Sequence, residues 1–177
     1  MASEFQRRKM AGMFEAMDAD ANGYLERADF EALTERWADI RGWESGSDDY
    51  ERMRGICMAW WYGLVAMGDE NHDGQVSFDE LMMLVDQLGA MRAEVYATAD
   101  AMFDAIDESG DGTISIDEHK QVVKVWKGSD DGVEEVFGEL DLDGDGTLSR
   151  DEFRELWFEF WAGADEAAPG RYVFGPV

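Results

Sequence analysis

The chain has 177 residues, enough for one or two compact units, and carries 41 acidic against 15 basic side chains, a formal net charge of −26. That charge argues against nucleic acid and anionic membrane surfaces as partners, since both need a basic footprint. A single cysteine, Cys57, excludes an intramolecular disulfide, and the longest uncharged apolar run, Ile56 to Gly68, is well short of the ~20 residues that cross a bilayer.

From the N-terminus, Met1 to Phe14 has basic residues but no apolar h-region, so no secretory signal is read and cytoplasmic residence is the expectation. Met10, Met13 and Met17 fall at helical spacing, the mark of a core stripe. Asp18 to Asp29 then places Asp18, Asp20, Asn22, Tyr24, Glu26 and Asp29 at positions 1, 3, 5, 7, 9 and 12 of a twelve-residue segment, with Gly23 at position 6. Phe30, Leu33 and Trp37 trace a helix leaving it, and Arg41 to Asp49 is turn-rich. A long helix, about Asp48 to Met67, follows and reads as buried. It enters a second such segment, Asp69 to Glu80, with Asp69, Asn71, Asp73, Gln75, Ser77 and Glu80 around Gly74. Leu81, Met82, Leu84, Val85 and Leu88 form the next apolar face, and Gly89 is its stop.

The third segment, Asp107 to Glu118, supplies Asp107, Ser109, Asp111, Thr113, Ser115 and Glu118 around Gly112. Val122, Val123, Val125 and Trp126 mark its exiting helix, with Gly128 as the stop and Ser129 as a cap for the next helix. The fourth, Asp141 to Glu152, supplies Asp141, Asp143, Asp145, Thr147, Ser149 and Glu152 around Gly146. Phe153, Leu156, Trp157, Phe160 and Trp161 lie on one helical face that ends near Gly163. The tail still carries Tyr172, Val173 and Phe174 beside Pro169 and Pro176, too apolar for a free end, so it is expected to fold back over the interior.

Six spaced oxygens with a glycine at position 6 are what a hard cation needs. Calcium takes about six to eight oxygen ligands, and the EF-hand loop delivers them from these positions, with a backbone carbonyl at 7 and a water-bridged group at 9. Acidic, glycine-containing turns explain one such loop but not four in register. The segments are therefore read as four EF-hand calcium loops, with the carbonyls of Tyr24, Gln75, Thr113 and Thr147 as the position-7 ligands. Position 8 is apolar throughout (Leu25, Val76, Ile114, Leu148), which predicts a short two-stranded ladder joining paired loops. Four bound Ca²⁺ would reduce the charge from −26 to −18. Without a cation the clustered carboxylates repel, so binding counts as folding free energy.

The fold expected is all-α, with four EF-hands in two paired lobes forming one compact globule. The divisions are 1–89 for the first pair, 90–163 for the second and 164–177 for a tail packed on the core. Three or four Ca²⁺ are expected. Asp29 is one methylene shorter than the usual glutamate, so the Asp18–Asp29 loop is expected to be the weakest for Ca²⁺ or the most tolerant of Mg²⁺.

The long gap between the first two loops, the segment Asn22 to Glu31 (N-G-Y-L-E-R-A-D-F-E) and the tail Ala168 to Val177 resemble the sarcoplasmic calcium-binding proteins, in particular their bacterial calerythrin-like members. The resemblance covers essentially the whole chain. It implies a compact four-hand protein with lobes packed face to face, acting as a calcium buffer or signal modulator. Asp at position 12 of the first hand is a family habit.

Two other functions fit four hands. One is a sensor that opens on Ca²⁺ to give a Met-rich groove to a partner helix. The eleven methionines suit it, but seven Trp and ten Phe suit a permanent core better. The other is an apolar-ligand carrier related to luciferin-binding proteins, whose cavities set histidines beside aromatic rings. Here His72 is at position 4 of the second loop and His119 just after the last ligand of the third, and both read as solvent-facing. No nucleophile–base pair, zinc site or phosphate loop is visible, so the protein is read as a monomeric, non-enzymatic calcium binder.

Overall fold

Most α-helices in this chain begin at a capping serine (Ser3, Ser47, Ser77, Ser115 or Ser149) and end where a loop aspartate or a glycine takes over. The computed structural model describes residues 2–176. Helix α1 (Glu4–Met17) starts at Ser3, which accepts from the Gln6 amide while the Gln6 side chain returns to Ser3. Helix α2 (Arg27–Arg41) stops at Gly42 in the left-handed region, and α3 (Asp48–Gly68) starts at Ser47. Then come α4 (Phe78–Leu88), α5 (Arg92–Ile106), α6 (Ile116–Lys127), α7 (Val133–Leu140) and α8 (Arg150–Ala162). A 3₁₀ turn (Pro169–Tyr172) lies in the tail.

Two-residue strands join the loops in pairs. Strand β1 (Tyr24–Leu25) runs antiparallel to β2 (Val76–Ser77), with Leu25 opposite Val76. Strand β3 (Thr113–Ile114) pairs with β4 (Leu148–Ser149), Ile114 opposite Leu148. All four position-8 side chains are buried, so each ladder is both hydrogen-bonded and hydrophobic. The fold is all-α, with four EF-hands in two paired lobes.

The lobes meet through aromatic rings. Trp60 of α3 packs edge-on against Trp126 of α6 and Trp161 of α8, each at 5.7 Å between ring centres. At the other end, buried Lys9 of α1 donates to the Glu159 and Gly163 carbonyls at the C-terminus of α8, at 3.3 and 3.2 Å. That position favours a cation. Burial nevertheless pulls its pKa down to about 8, with Glu159 opposing the shift.

Two local readings differ from the sequence. Helix α3 is amphipathic rather than buried all round: Met58, Trp61 and Leu64 face the core, while Tyr62 is 56% exposed and Met67 is exposed too. Three adjacent aromatic residues, Trp60 to Tyr62, spread over about 200° of a helix, too wide for one apolar face, so one of them points outward. Ser129 does not cap the next helix. Helix α7 begins later, after Gly132 at φ 76°, where Pro176 of the tail packs close.

In the tail, Val173 and Phe174 are buried, and the Phe174 ring lies 4.8 Å from Phe160 and 5.0 Å from Trp126. The tail backbone runs close to α8. A Cβ on Gly170 would stand 2.5 Å from the Leu156 carbonyl oxygen, so only glycine fits there. Met1 and Val177, which bound the first and last expected segments, lie outside the described residues.

Candidate metal centre

Each loop is built alike. Its position-1 aspartate (Asp18, Asp69, Asp107 or Asp141) caps the entering helix and accepts from the glycine amide at position 6. These bonds are 2.8 Å from Gly23, 3.0 Å from Gly74, 2.9 Å from Gly112 and 2.7 Å from Gly146. The four glycines have φ between 82° and 91°, a turn that side chains with a Cβ resist. Position 5 then accepts from the position-7 amide: Asn22 from Tyr24, Asp73 from Gln75, Asp111 from Thr113, Asp145 from Thr147.

Carboxylates therefore converge. Oxygens of Asp18, Asp20 and Asp29 lie within 4.8 Å of one another, and so do those of Asp141, Asp143 and Asp145. In the middle loops Asn71 and Ser109 put neutral oxygens at position 3. An all-oxygen donor set with three gathered negative charges fits a hard divalent cation and nothing softer. Asp143 shows the strain of this gathering. The Asp145 amide favours its charged form, yet desolvation and the charges of Asp145, Glu152 and Asp141 together push its pKa up.

Comparison with known proteins agrees with this geometry. Residues 97–158 match the EF-hand domain pair family, and residues 2–92 match the EF-hand domain pair of follistatin-related protein 1. The sarcoplasmic calcium-binding protein of Scylla paramamosain is 31% identical over 173 residues, covering 90% of this chain and 89% of its own. The chain belongs to the sarcoplasmic calcium-binding protein family. It binds calcium. Calerythrin of Saccharopolyspora erythraea is 31% identical over 123 residues, 66% of this chain and 63% of its own. Among solved structures, the sarcoplasmic calcium-binding protein from amphioxus superposes with a TM-score of 0.76 over 100% of both chains, at 23% identity. The coelenterazine-binding protein from Renilla muelleri gives 0.75 at 26% identity, covering 98% of this chain and 96% of its own.

Within this family frame, position 12 separates the loops. Glu80, Glu118 and Glu152 each reach back to the position-3 amide, at 3.4, 3.0 and 3.1 Å. Their other oxygen accepts from the amide and hydroxyl of Ser77, Ser115 or Ser149. Those serines also cap the exiting helices, so position 9 is tied to the fold as well as facing the loop. The repeated S-x-x-E was the sequence signal for this capping box. The Ser77 bonds hold the Glu80 pKa down.

Asp29 behaves differently. It accepts from the position-2 amide, Ala19, at 2.9 Å and from Glu26 at 2.7 Å. Burial raises its pKa against the pull of those bonds. The shorter side chain thus reaches the position-2 amide where the glutamates reach position 3. Across the pair, the Gln75 amide donates to the Glu26 carboxylate, linking the first loop to the second.

One histidine departs from the solvent-facing expectation. His72 is exposed, but His119 is 1% exposed and lies beside the Phe137 ring, with Nε2 2.8 Å from the Val173 carbonyl oxygen. Burial drives its pKa down to about 4, so it is neutral and Nε2–H donates to the tail. Its partner is 54 residues away, which no local pattern announces. Cys57 is fully buried, and burial raises its thiol to about 11, consistent with a structural role.

Proposed function

We propose that the protein is a monomeric cytoplasmic calcium buffer or signal modulator that stays closed around its ions, without catalysis of its own. Asp18, Asp20, Asn22, Tyr24 and Asp29 would hold one ion. Asp69, Asn71, Asp73, Gln75 and Glu80 would hold a second. Asp107, Ser109, Asp111, Thr113 and Glu118 form the third set, and Asp141, Asp143, Asp145, Thr147 and Glu152 the fourth. Tyr24, Gln75, Thr113 and Thr147 act through their carbonyls. The hands pair as 1–89 and 90–163, with 164–177 as the covering tail. Three or four Ca²⁺ bind. The shorter reach of Asp29 suits Mg²⁺, which takes six ligands where Ca²⁺ prefers more.

The observation that carries the closed reading is the covered interior. Met10, Met13, Met17, Met53, Met58, Met82 and Met102 are buried, so most of the methionines a partner groove would present are already in use, Met67 and Met83 being the exposed ones. Phe174 of the tail occupies the aromatic interior of the second pair. Carrier function has weaker support. An apolar pocket between Trp60, Leu64, Leu84, Val95 and Trp161 holds about 110 Å³, and a second between Ile56, Trp60, Met102 and Trp157 holds about 390 Å³. No histidine lines either one, whereas luciferin-binding cavities set histidines beside aromatic rings. Solution scattering with a hydrophobic-dye titration tests the reading. A compact, dye-silent calcium form supports it; a calcium form that binds dye and expands favours the sensor.

A further inference from the structure

The ladders β1–β2 and β3–β4 join hands one with two and three with four. A second set of connections runs the other way, between hands one and three, and it rests on two arginines of α2. Arg41, in the last turn of the helix leaving loop one, has a side chain that is 0% exposed. Its Nη1 donates to the Ala105 carbonyl and its Nη2 to the Ile106 carbonyl, both at 2.8 Å. These are the last residues of α5, directly before Asp107 opens loop three. Its Nε donates to Gln121 Oε1 of α6, also at 2.8 Å. One guanidinium therefore grips both helices that flank loop three. Trp37 and Trp43 pack their rings 5.0 and 5.3 Å from it, and Trp43 comes from the turn-rich insertion after α2.

Arg36, further back on the same helix, makes a parallel connection. Its Nη2 donates to the Ala16 carbonyl at 2.9 Å, in the turn that enters loop one. Its Nη1 donates to the Val125 carbonyl at 3.2 Å, near the end of α6. Both flanks of loop one are thereby tied to both flanks of loop three.

We propose that hands one and three form a cooperative unit, with Arg41 as the positioning residue through which an ion in loop one raises the affinity of loop three. A plain C-terminal cap on α5 needs only the two carbonyls. Arg41 also holds Gln121 on the opposite side of the loop, so its donors are satisfied together only at one separation of α5 and α6. Leaving a buried guanidinium donor unpaired is costly. Whatever fixes α2 against α1 therefore favours one geometry of loop three, and by linkage the effect is reciprocal.

The proposal rests on loops one and three holding ions, as argued above. Site-resolved calcium titration by NMR tests it, using the amides of Gly74 and Gly112, each hydrogen-bonded to the first aspartate of its own loop. Loop one is disabled by Asp18→Ala. With Arg41 present, this should weaken calcium binding at Gly112 by about fivefold or more, a typical coupling. In Arg41→Met the same change should move Gly112 by less than about twofold. The response of Gly74, carried by the ladder and the Gln75–Glu26 bond, should persist, which a general loss of structure would not allow. If Arg41→Met does not fold, Gln121→Met removes the α6 side of the grip and should likewise reduce the linkage. A Gly112 titration indifferent to Asp18→Ala in the Arg41 protein overturns the coupling, as does linkage that survives the Arg41 or Gln121 change. A Gly112 amide that ignores Ca²⁺ altogether overturns the ligand reading, and the coupling with it.

Discussion

The two hand pairs share one coordination chemistry but reach it by different routes. In loops three and four, position 4 is glycine, at φ 70° and 76° for Gly110 and Gly144. In loops one and two the same left-handed position is held by Ala21 at 56° and His72 at 59°, where a Cβ is strained. The first pair also closes with the shorter Asp29, and the second pair has the tail over its aromatic interior. The second pair is thus the better built of the two, in backbone and in cover. The first should yield sooner to a change in ion or sequence.

Removing what favours the second pair is the largest way to break that difference. Truncation after Gly163 uncovers the site of Val173 and Phe174, whose burial contributes about 3–6 kcal/mol together. For a chain of this size that lowers the melting temperature of the calcium form by about 10 °C or more, and dye binding rises. An unchanged melting curve and dye signal would mean that the docked tail contributes nothing to closure.

Glu152→Gln acts within the second pair alone. It should cut the affinity of loop four by about 100-fold, roughly 3 kcal/mol, and remove one ion from a calorimetric count. An unchanged count sinks that residue as a ligand. In the first pair, Asp29→Glu should lengthen the reach of position 12 and shift loop one toward Ca²⁺ over Mg²⁺ by about tenfold. Magnesium competition identical to the parent's would show that reach is not what distinguishes this loop.

The smallest effect sharpens the backbone comparison. Ala21→Gly relieves ~1–2 kcal/mol of left-handed strain and loses ~0.4–1 kcal/mol through greater freedom of the unfolded chain. A net gain of about 0.5–1 kcal/mol is expected in chemical denaturation. Destabilisation would show that the alanine conformation carries no strain.

How much of this was legible depended on whether a residue answers to local chemistry or to a distant partner. The loops were readable because coordination fixes both the oxygen spacing and the glycine at position 6. The ladders followed from apolar position 8, and most helix ends from glycine and loop aspartates. His119 was not readable, because its hydrogen-bond partner, Val173, is brought in by the tail. Arg41 left no trace either: two of its acceptors are backbone carbonyls, which every sequence has everywhere. In α3 the apolar run concealed a helix with one wet side, since Trp60, Trp61 and Tyr62 cannot all face one core.

The proposed function depends most on four loops that hold ions, the first of them, closed by the shorter Asp29, being the most tolerant of Mg²⁺. Native mass spectrometry of the intact protein, in Ca²⁺ and then with Mg²⁺ in excess, reads this directly. Three or four bound Ca²⁺ are predicted, with no more than one exchanging for Mg²⁺, and that one lost to exchange in Asp29→Glu. Two or fewer Ca²⁺, or Mg²⁺ displacing ions from the second pair first, would contradict it.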